Sequence, residues 1–445
     1  MIPGGWPHME HEEKSKKRVC IIGGGFGGVT TAQHLPESVE VILFDPRDSL
    51  EFLPNIHELI SHAKTPDDIQ VPLDVALRAP NITHVQERVE HLNLKRKELS
   101  TKSSGRYSYD CCVVAVGGVN QTHGVKGAQE HAFPFKSVSH CEAIHLTIKA
   151  QLDLNGSNGC CNVVVVGGGL EGIEASGELL RFNRNHSNNS KSRKQAHLKE
   201  PLSITLVEGA ERLLTEGPPE LGHELAQRLH NHGVQTRLGS HVVEVGTNSV
   251  TLNQGETLPS DVTVWTGGAS APESLHHWGL APDSGHWALV EESLRSLYDP
   301  YVFVVGDAAE LPSPVSKQAY HAIEMGKTAA ANMMNVLRSL SGSTGSSVSR
   351  DELKPFRPSD KPLLLAFGEL DTYLVTQSRA YAAKSLAAAK EAILQGYMAL
   401  LYPPSQRDGL TRLKSRLSHA ARQHLSSPLT DPLSALGWLR LRRVK

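Results

Sequence analysis

The sequence is poor in the features that mark several common protein classes. Its six cysteines form no Cys-x-x-Cys pair, and none lies beyond Cys161. A disulfide framework or a metal site is therefore not expected. Most of these cysteines sit in or beside apolar runs, so they read as small buried hydrophobes of a cytosol-facing protein. Aromatics make up 5% of the chain and the net charge is −2, which leaves no basis for bulk nucleic-acid binding. A polar, basic run within residues 181–199 has no interleaved aromatics and reads as a solvated insertion. No stretch of about 18 apolar residues exists, so no transmembrane helix is expected. Residues 1–17 are polar, lack the apolar core of a signal peptide, and read as a loose leader.

What the chain does have is glycine in two telling places. Residues 18–28 read Arg-Val-Cys-Ile-Ile-Gly-Gly-Gly-Phe-Gly-Gly. The apolar run 19–22 predicts a buried parallel strand. Gly23, Gly25 and Gly28 fit G-x-G-x-x-G, residues 30–35 predict a helix, and a second apolar run, 39–44, ends in Asp45. Asp45 lies 22 positions after Gly23 (45 − 23), near the spacing of a ribose-binding acid. In such a unit the first glycine allows a tight turn and the second lets backbone approach a pyrophosphate. The third lets helix and strand pack closely, with the helix N-terminus facing the phosphates. Taken alone this fingerprint is weak, because a glycine-rich turn can bind nothing. Here it recurs. Residues 162–172 read Asn-Val-Val-Val-Val-Gly-Gly-Gly-Leu-Glu-Gly, with Gly167, Gly169 and Gly172 in the same pattern, and the next strand, 203–207, ends in Glu208. Two fingerprints imply two dinucleotides and electron passage between them.

Further apolar runs close on glycine: 109–116 on Gly117, 261–266 on Gly267, and 301–305 on Gly306-Asp307. The first of these is equally an ordinary turn or a cofactor-facing one. Residues 314–337 predict a long helix rich in small residues, and the Ser/Gly-rich 339–350 a linker.

At these positions the chain resembles a two-dinucleotide-binding-domain flavoprotein, and within that group a type II NADH dehydrogenase (NADH:quinone oxidoreductase). The resemblance is carried by Asp45-Pro46-Arg47 with Phe52-Leu53-Pro54, Leu206-Val207-Glu208 with Arg212, Trp265-Thr266-Gly267, Val304-Val305-Gly306-Asp307-Ala308-Ala309, and Pro355-Phe356-Arg357. It implies an α/β fold of two Rossmann-type domains, the second inserted in the first, plus a C-terminal mainly helical segment. The expected division is a leader at 1–17, an FAD-binding domain at 18–123 and 255–338, and an NADH-binding domain at 124–254. A linker at 339–350 and a C-terminal segment at 351–445 complete it. Carried over, Gly23, Gly25, Gly28 and Asp45 bind the pyrophosphate and adenosine ribose of FAD, with Gly117 near the flavin and Gly267 on the strand that returns to it. Gly306 and Asp307 touch the ribityl or pyrophosphate portion, although Asp307 also suits a helix N-cap. Gly167, Gly169, Gly172 and Glu208 hold NADH, and a carboxylate at 208 repels the 2′-phosphate of NADPH. Glu174 is expected near the nicotinamide, or else as a complement to the helix dipole.

The chain also departs from its relatives. No cysteine pair follows the first fingerprint, as disulfide reductases of this fold require, so flavin must hand electrons directly to an acceptor. Where type II enzymes carry a glutamine-rich helix start, Tyr320, Glu324 and Met325 stand instead. Tyr320 is a candidate to stack on a quinone and Glu324 to relay protons, with a packed aromatic and a solvated helix face as the alternatives. Residues 407–445 carry a net +7 (9 − 2), and 409–425 has an amphipathic register. That suits either a membrane-surface helix or one docked on the protein's own body. The expected activity is hydride transfer from NADH to FAD and on to a quinone at the inner face of a membrane, with a homodimer as the open assembly state. A soluble NADH-dependent reductase and a redox-sensing module are the alternatives.

Overall fold

The computed structural model describes residues 16–103, 105–156, 159–189, 200–341, 349, 352–402 and 441–444, with the side chains at 187–189 and 341 left aside. The chain forms two compact units, each assembled from three stretches. The first comprises Met1–Arg47, Leu77–Gly117 and Glu273–Phe356; the second comprises Asp48–Ala76, Gly118–Pro272 and Arg357–Lys445.

The first unit is built on a five-stranded parallel sheet in the order Val302–Val304, Cys111–Val114, Lys17–Ile22, Val39–Phe44, Ile82–Val85. All but the edge strand Ile82–Val85, which is partly exposed, are buried almost throughout, as strands covered on both faces require. The helix Phe26–His34 follows the first strand and packs on the long helix Ala319–Ser341. Their approach is close because both carry glycine at the crossing: a Cβ on Gly326 would lie 2.6 Å from the carbonyl oxygen of Gly27.

The second unit repeats the plan. Its parallel sheet runs Ala132–Pro134, Val262–Trp265, Cys161–Val166, Leu202–Val207, Gln235–Arg237. The boundary expected at 254/255 therefore falls too early. Val262–Trp265 pairs with the second fingerprint strand, and its apolar run alone could not say which of two similar sheets it joins. The helix Leu170–Asn189 runs into the polar, basic stretch that begins at 181, because buried Phe182 and Asn183 continue its inward face. The rest of the basic run, 190–199, lies outside the described residues.

The described residues of the C-terminal segment, expected to be mainly helical, form one helix, Leu386–Leu401, and also a four-stranded antiparallel sheet of Leu363–Phe367, Asp371–Val375, Ala380–Ala382 and Arg442–Arg443. Five apolar residues between Pro362 and Gly368, then Thr372, Tyr373 and Val375, are strand formers with turn signals at their ends. This sheet meets the helix Leu170–Asn189 at another glycine contact, where a Cβ on Gly177 would stand 2.5 Å from the Gly368 nitrogen. Among the described residues no helix is long and apolar enough to cross a membrane. The amphipathic stretch at 409–425 and most of the basic tail lie outside the described residues.

Candidate functional site

The two fingerprints fold into the same cradle. Gly23 and Gly167 each adopt φ +108°, a conformation that side-chain-bearing residues avoid. Each N–H donates to the carbonyl at the end of the neighbouring strand, Phe44 or Val207, at 2.8 Å. A Cβ on Gly28 would sit 1.9 Å from the Gly23 oxygen, and one on Gly172 would sit 1.8 Å from the Gly167 oxygen, so both serve close packing. The middle glycines differ in kind: a Cβ on Gly25 or Gly169 would meet no protein atom within 4 Å. Packing demands nothing of them, whereas a phosphate drawn onto the backbone of a helix N-terminus would.

The acids at the strand ends are held differently. Asp45 is buried at 3% exposure. Its carboxylate accepts from the Gly24 N–H at 2.6 Å, from the Arg47 N–H at 2.9 Å and from the Arg47 guanidinium at 2.9 and 3.0 Å. Burial alone would raise its pKa; the Arg47 charge and these donors outweigh it and hold the carboxyl below its usual range. Glu208 is half-buried and accepts from the backbone N–H groups of Gly168 and Ala210. Arg212, nearby in sequence, donates to the carbonyls of Leu214, Thr215 and Gly217 at 2.6–3.2 Å. It is thereby committed to the loop rather than offered to a 2′-phosphate.

Gly306 and Asp307 form a single 3₁₀ turn, Gly306–Ala308, which excludes the helix N-cap alternative for Asp307. They open onto a cavity of about 150 Å³ lined also by Trp287, Lys317, Gln318, His321 and Met325. Lys317 Nζ donates to the Asp307 carbonyl at 2.5 Å and lies 3.5 Å over the Trp287 ring. Of the helix start that carries the candidates Tyr320 and Glu324, this cavity takes His321, Ala322 and Met325 in its lining, together with Gln318 before it, while Tyr320 and Glu324 are half-buried and do not line it. Positions 318, 321/322 and 325 share one helical face, and 320 and 324 lie on another. Gly117 is a turn glycine at φ +67° with open space at its Cβ position. Gly267 has a structural explanation, since its Cβ would meet Trp265 Nε1 at 2.6 Å where that indole donates to the Gln121 carbonyl.

Glu174 does not stand at the helix start as a dipole partner. It is buried within the second unit, where its Oε1 accepts from Lys390 Nζ at 2.6 Å and from the Ala366 N–H at 3.0 Å. Oε2 lies 3.5 Å from His57 Nδ1. Burial raises its pKa against the pull of Lys390. Four residues on, Glu178 accepts from the Ser61 hydroxyl and burial pushes its carboxyl up to about 7. Buried Lys64 pairs with Glu391 at 2.5 Å. Sequence reasoning passed over His57, Lys64 and Lys390, and it used Arg47 for its resemblance without foreseeing its pairing with Asp45. The one local signal was a charged pair, Lys390-Glu391, inside an otherwise apolar helix.

Residues 17–326 match the pyridine nucleotide-disulphide oxidoreductase family, and the chain belongs to it. Among curated relatives, a type II NADH:quinone oxidoreductase of Staphylococcus aureus is 23% identical over 345 residues, covering 73% of this chain and 83% of the relative. Among solved structures, NDH2 from Plasmodium falciparum in complex with NADH aligns with a TM-score of 0.74 at 16% identity, over 90% of this chain and 98% of that one. The sulfide:quinone oxidoreductase of Aquifex aeolicus aligns with a TM-score of 0.70 at 18% identity, over 88% and 92%. The thiol chemistry in the family's description has no counterpart here: all six cysteines are free and five are buried. Burial pushes Cys20 and Cys111, on adjacent strands, up to about 12, which leaves them inert as nucleophiles.

Proposed function

We propose that the chain is an FAD-dependent NADH:quinone oxidoreductase. The observation that carries this reading is the duplicated cradle, two acid-tipped glycine turns in one chain without a redox-active cysteine pair. Gly23, Gly25, Gly28 and Asp45 hold FAD, with Gly306 and Asp307 as further contacts. Gly167, Gly169, Gly172 and Glu208 hold NADH. The donor sets fit: N–H groups of a helix start face the pyrophosphate, and a carboxylate takes the ribose hydroxyls. Bound FAD supplies hydride acceptance from NADH and electron delivery to the acceptor. The protein's own residues bind, orient and exclude water. Glu174 stands on the nicotinamide side as a buried carboxyl able to hold a proton.

The test is anaerobic. The purified protein should be yellow, NADH should bleach the flavin, and added quinone should restore its colour. A folded, colourless protein that cannot be reconstituted with FAD would falsify the assignment of the first cradle. Flavin that bleaches with NADH and stays bleached with quinone would shift the reading to a soluble acceptor.

The basic tail beyond residue 405 binds an anionic membrane surface reversibly, at roughly 1 kcal/mol per basic residue near that surface. Full-length protein should float with anionic liposomes and lose that property in high salt. Equal flotation by a chain truncated at Ser405 would make the tail structural.

A further inference from the structure

The carboxylate of Glu174 has two unlike ends. Oε1 is engaged by Lys390 Nζ and the Ala366 N–H, so a proton arriving at Glu174 has its place on Oε2, which faces His57 Nδ1 at 3.5 Å. His57 lies on the short turn Leu53–Leu59 and is 1% exposed. Burial first, then the charges of Lys390, Lys64 and Arg181, hold its pKa well below the ordinary value and keep the ring neutral. A neutral imidazole has one donor and one acceptor nitrogen. With Nδ1–H toward the carboxylate, Nε2 is the acceptor, and it has no hydrogen-bond partner among the described residues. Asn55 Oδ1, on the same turn, is likewise buried and unpartnered, while its Nδ2 donates to Glu58 at 2.6 Å. Buried polar atoms of this kind are normally met by protein or by ordered water. An unmet acceptor behind a carboxylate is where a proton can be received before it passes to that carboxylate.

The turnover needs one. Hydride transfer from NADH and reduction of a quinone to its hydroquinone consume one proton from solvent for each NADH oxidised.

We propose that His57 is the proton-transfer partner of Glu174: a proton received at Nε2 is matched by release of the Nδ1 proton to Glu174 Oε2. One proton enters the ring and one leaves it, no electrons move, and the ring is ready for another transfer once its Nε2 proton has been lost and Nδ1 has been re-protonated. This rests on the reading that Glu174 stands on the nicotinamide side. The charged groups around the pair are Glu171, Glu178 and Arg181 on the helix of Glu174, Lys390 and Glu391 on the C-terminal helix, and Glu58 and Lys64 beside His57. Of these Glu178 titrates near neutrality, so pH profiles are read in a Glu178→Gln background as well.

The experiment follows proton uptake with an indicator dye, and flavin absorbance in parallel, through anaerobic turnover with NADH and a quinone in water and in heavy water. His57→Gln keeps an amide of similar size that forms hydrogen bonds but does not exchange protons as imidazole does. It should keep its FAD content, melting temperature and NADH affinity while proton uptake slows about 100-fold, the usual weight of one proton-transfer group, with an enlarged solvent isotope effect. In infrared pH-difference spectra the protonated-carboxyl band that Glu174→Gln abolishes should shift in His57→Gln. If His57→Gln takes up protons at the unmodified rate, the shuttle is wrong and the placement of Glu174 survives. If Glu174→Gln leaves both uptake and NADH binding unchanged, the placement and the shuttle fall together.

Discussion

The two cradles align with a shift of 144 positions (167 − 23), and the helices that leave them form a controlled comparison. Gly28 matches Gly172, Thr30 matches Glu174 and His34 matches Glu178. Each fingerprint helix is covered by a later part of the chain through a glycine contact: Gly27 with Gly326 in the first unit, Gly177 with Gly368 in the second. In the first unit the covering helix, Ala319–Ser341, buries Ala322, Met325, Ala329, Ala330 and Met333, and the contact is essentially apolar. In the second unit the cover brings Lys390 and Glu391 onto Glu174 and Lys64. Turn geometry is thus identical where both units must present backbone to a phosphate. The helix beyond the turn is free to differ. An apolar cover suits a unit that only has to hold its cofactor. Buried ion pairs contribute little net stability and fix one docking register, which suits a unit that holds the Glu174 carboxyl in one place.

The sharpest way to break this comparison is to add one methyl group to each cradle. Gly25→Ala and Gly169→Ala introduce a Cβ that meets no protein atom within 4 Å, so both variants should fold and melt like the unmodified protein. Overpacking a methyl against a bound pyrophosphate costs about 1–3 kcal/mol. Gly25→Ala should therefore purify depleted of flavin, and Gly169→Ala should purify yellow with a raised NADH Kd. Flavin absorbance per chain and NADH titration read the two effects separately. The opposite pattern would exchange the two ligands between the cradles.

These glycine units were legible in the sequence because their physics is local: spacing, φ and helix start all lie within six residues. The acids were legible for the same reason, since each is the first residue past a strand. Arg47 could be noticed two positions beyond Asp45, but not its reach back over the carboxylate. The cluster around Glu174 was not legible. Its members are separated by 117 (174 − 57) and 216 (390 − 174) positions, and nothing near His57 or Lys390 announces the other. Tyr320 and Glu324 stand on a different helical face from the residues that line the cavity beside Asp307, and the phase of a helix cannot be read until its packing partner is known.

A second break targets the acid that the second unit carries where the first has His34. Burial lifts the Glu178 carboxyl to about 7 from its ordinary 4.5, against the opposing pull of Arg181 and Ser61. Below the ordinary value both folded and unfolded chains hold the proton. Between the two values the unfolded chain has lost it and the folded one has not, so stability falls as pH rises and levels off above the folded value. Glu178→Gln removes this slope and should stabilise the protein above pH 7 by at most about 3 kcal/mol. Urea midpoints on either side of that window check it. Parallel pH profiles for the variant and the unmodified protein would mean that Glu178 stays ionised, with its partners outweighing burial.

The last comparison concerns the acid of the second cradle. Asp45 is capped by a cation, and Glu208 receives only backbone donors among its described bonds. An uncapped carboxylate repels a second negative charge at the ribose, so NADH should be preferred over NADPH. Glu208→Ala removes both that repulsion and the acceptor for the ribose hydroxyls, which weakens NADH and relieves NADPH. The preference should narrow by roughly 1–3 kcal/mol, the range for one charge-assisted contact. It should not reverse, because Arg212 remains engaged with the carbonyls of its own loop. Turning it over should take a second change that frees or adds a cation. Ratios of kcat/KM for the two nucleotides decide the matter. Equal ratios in the unmodified protein would show that Glu208 does not face the ribose, and the likeness between the two cradles would then end at their glycines.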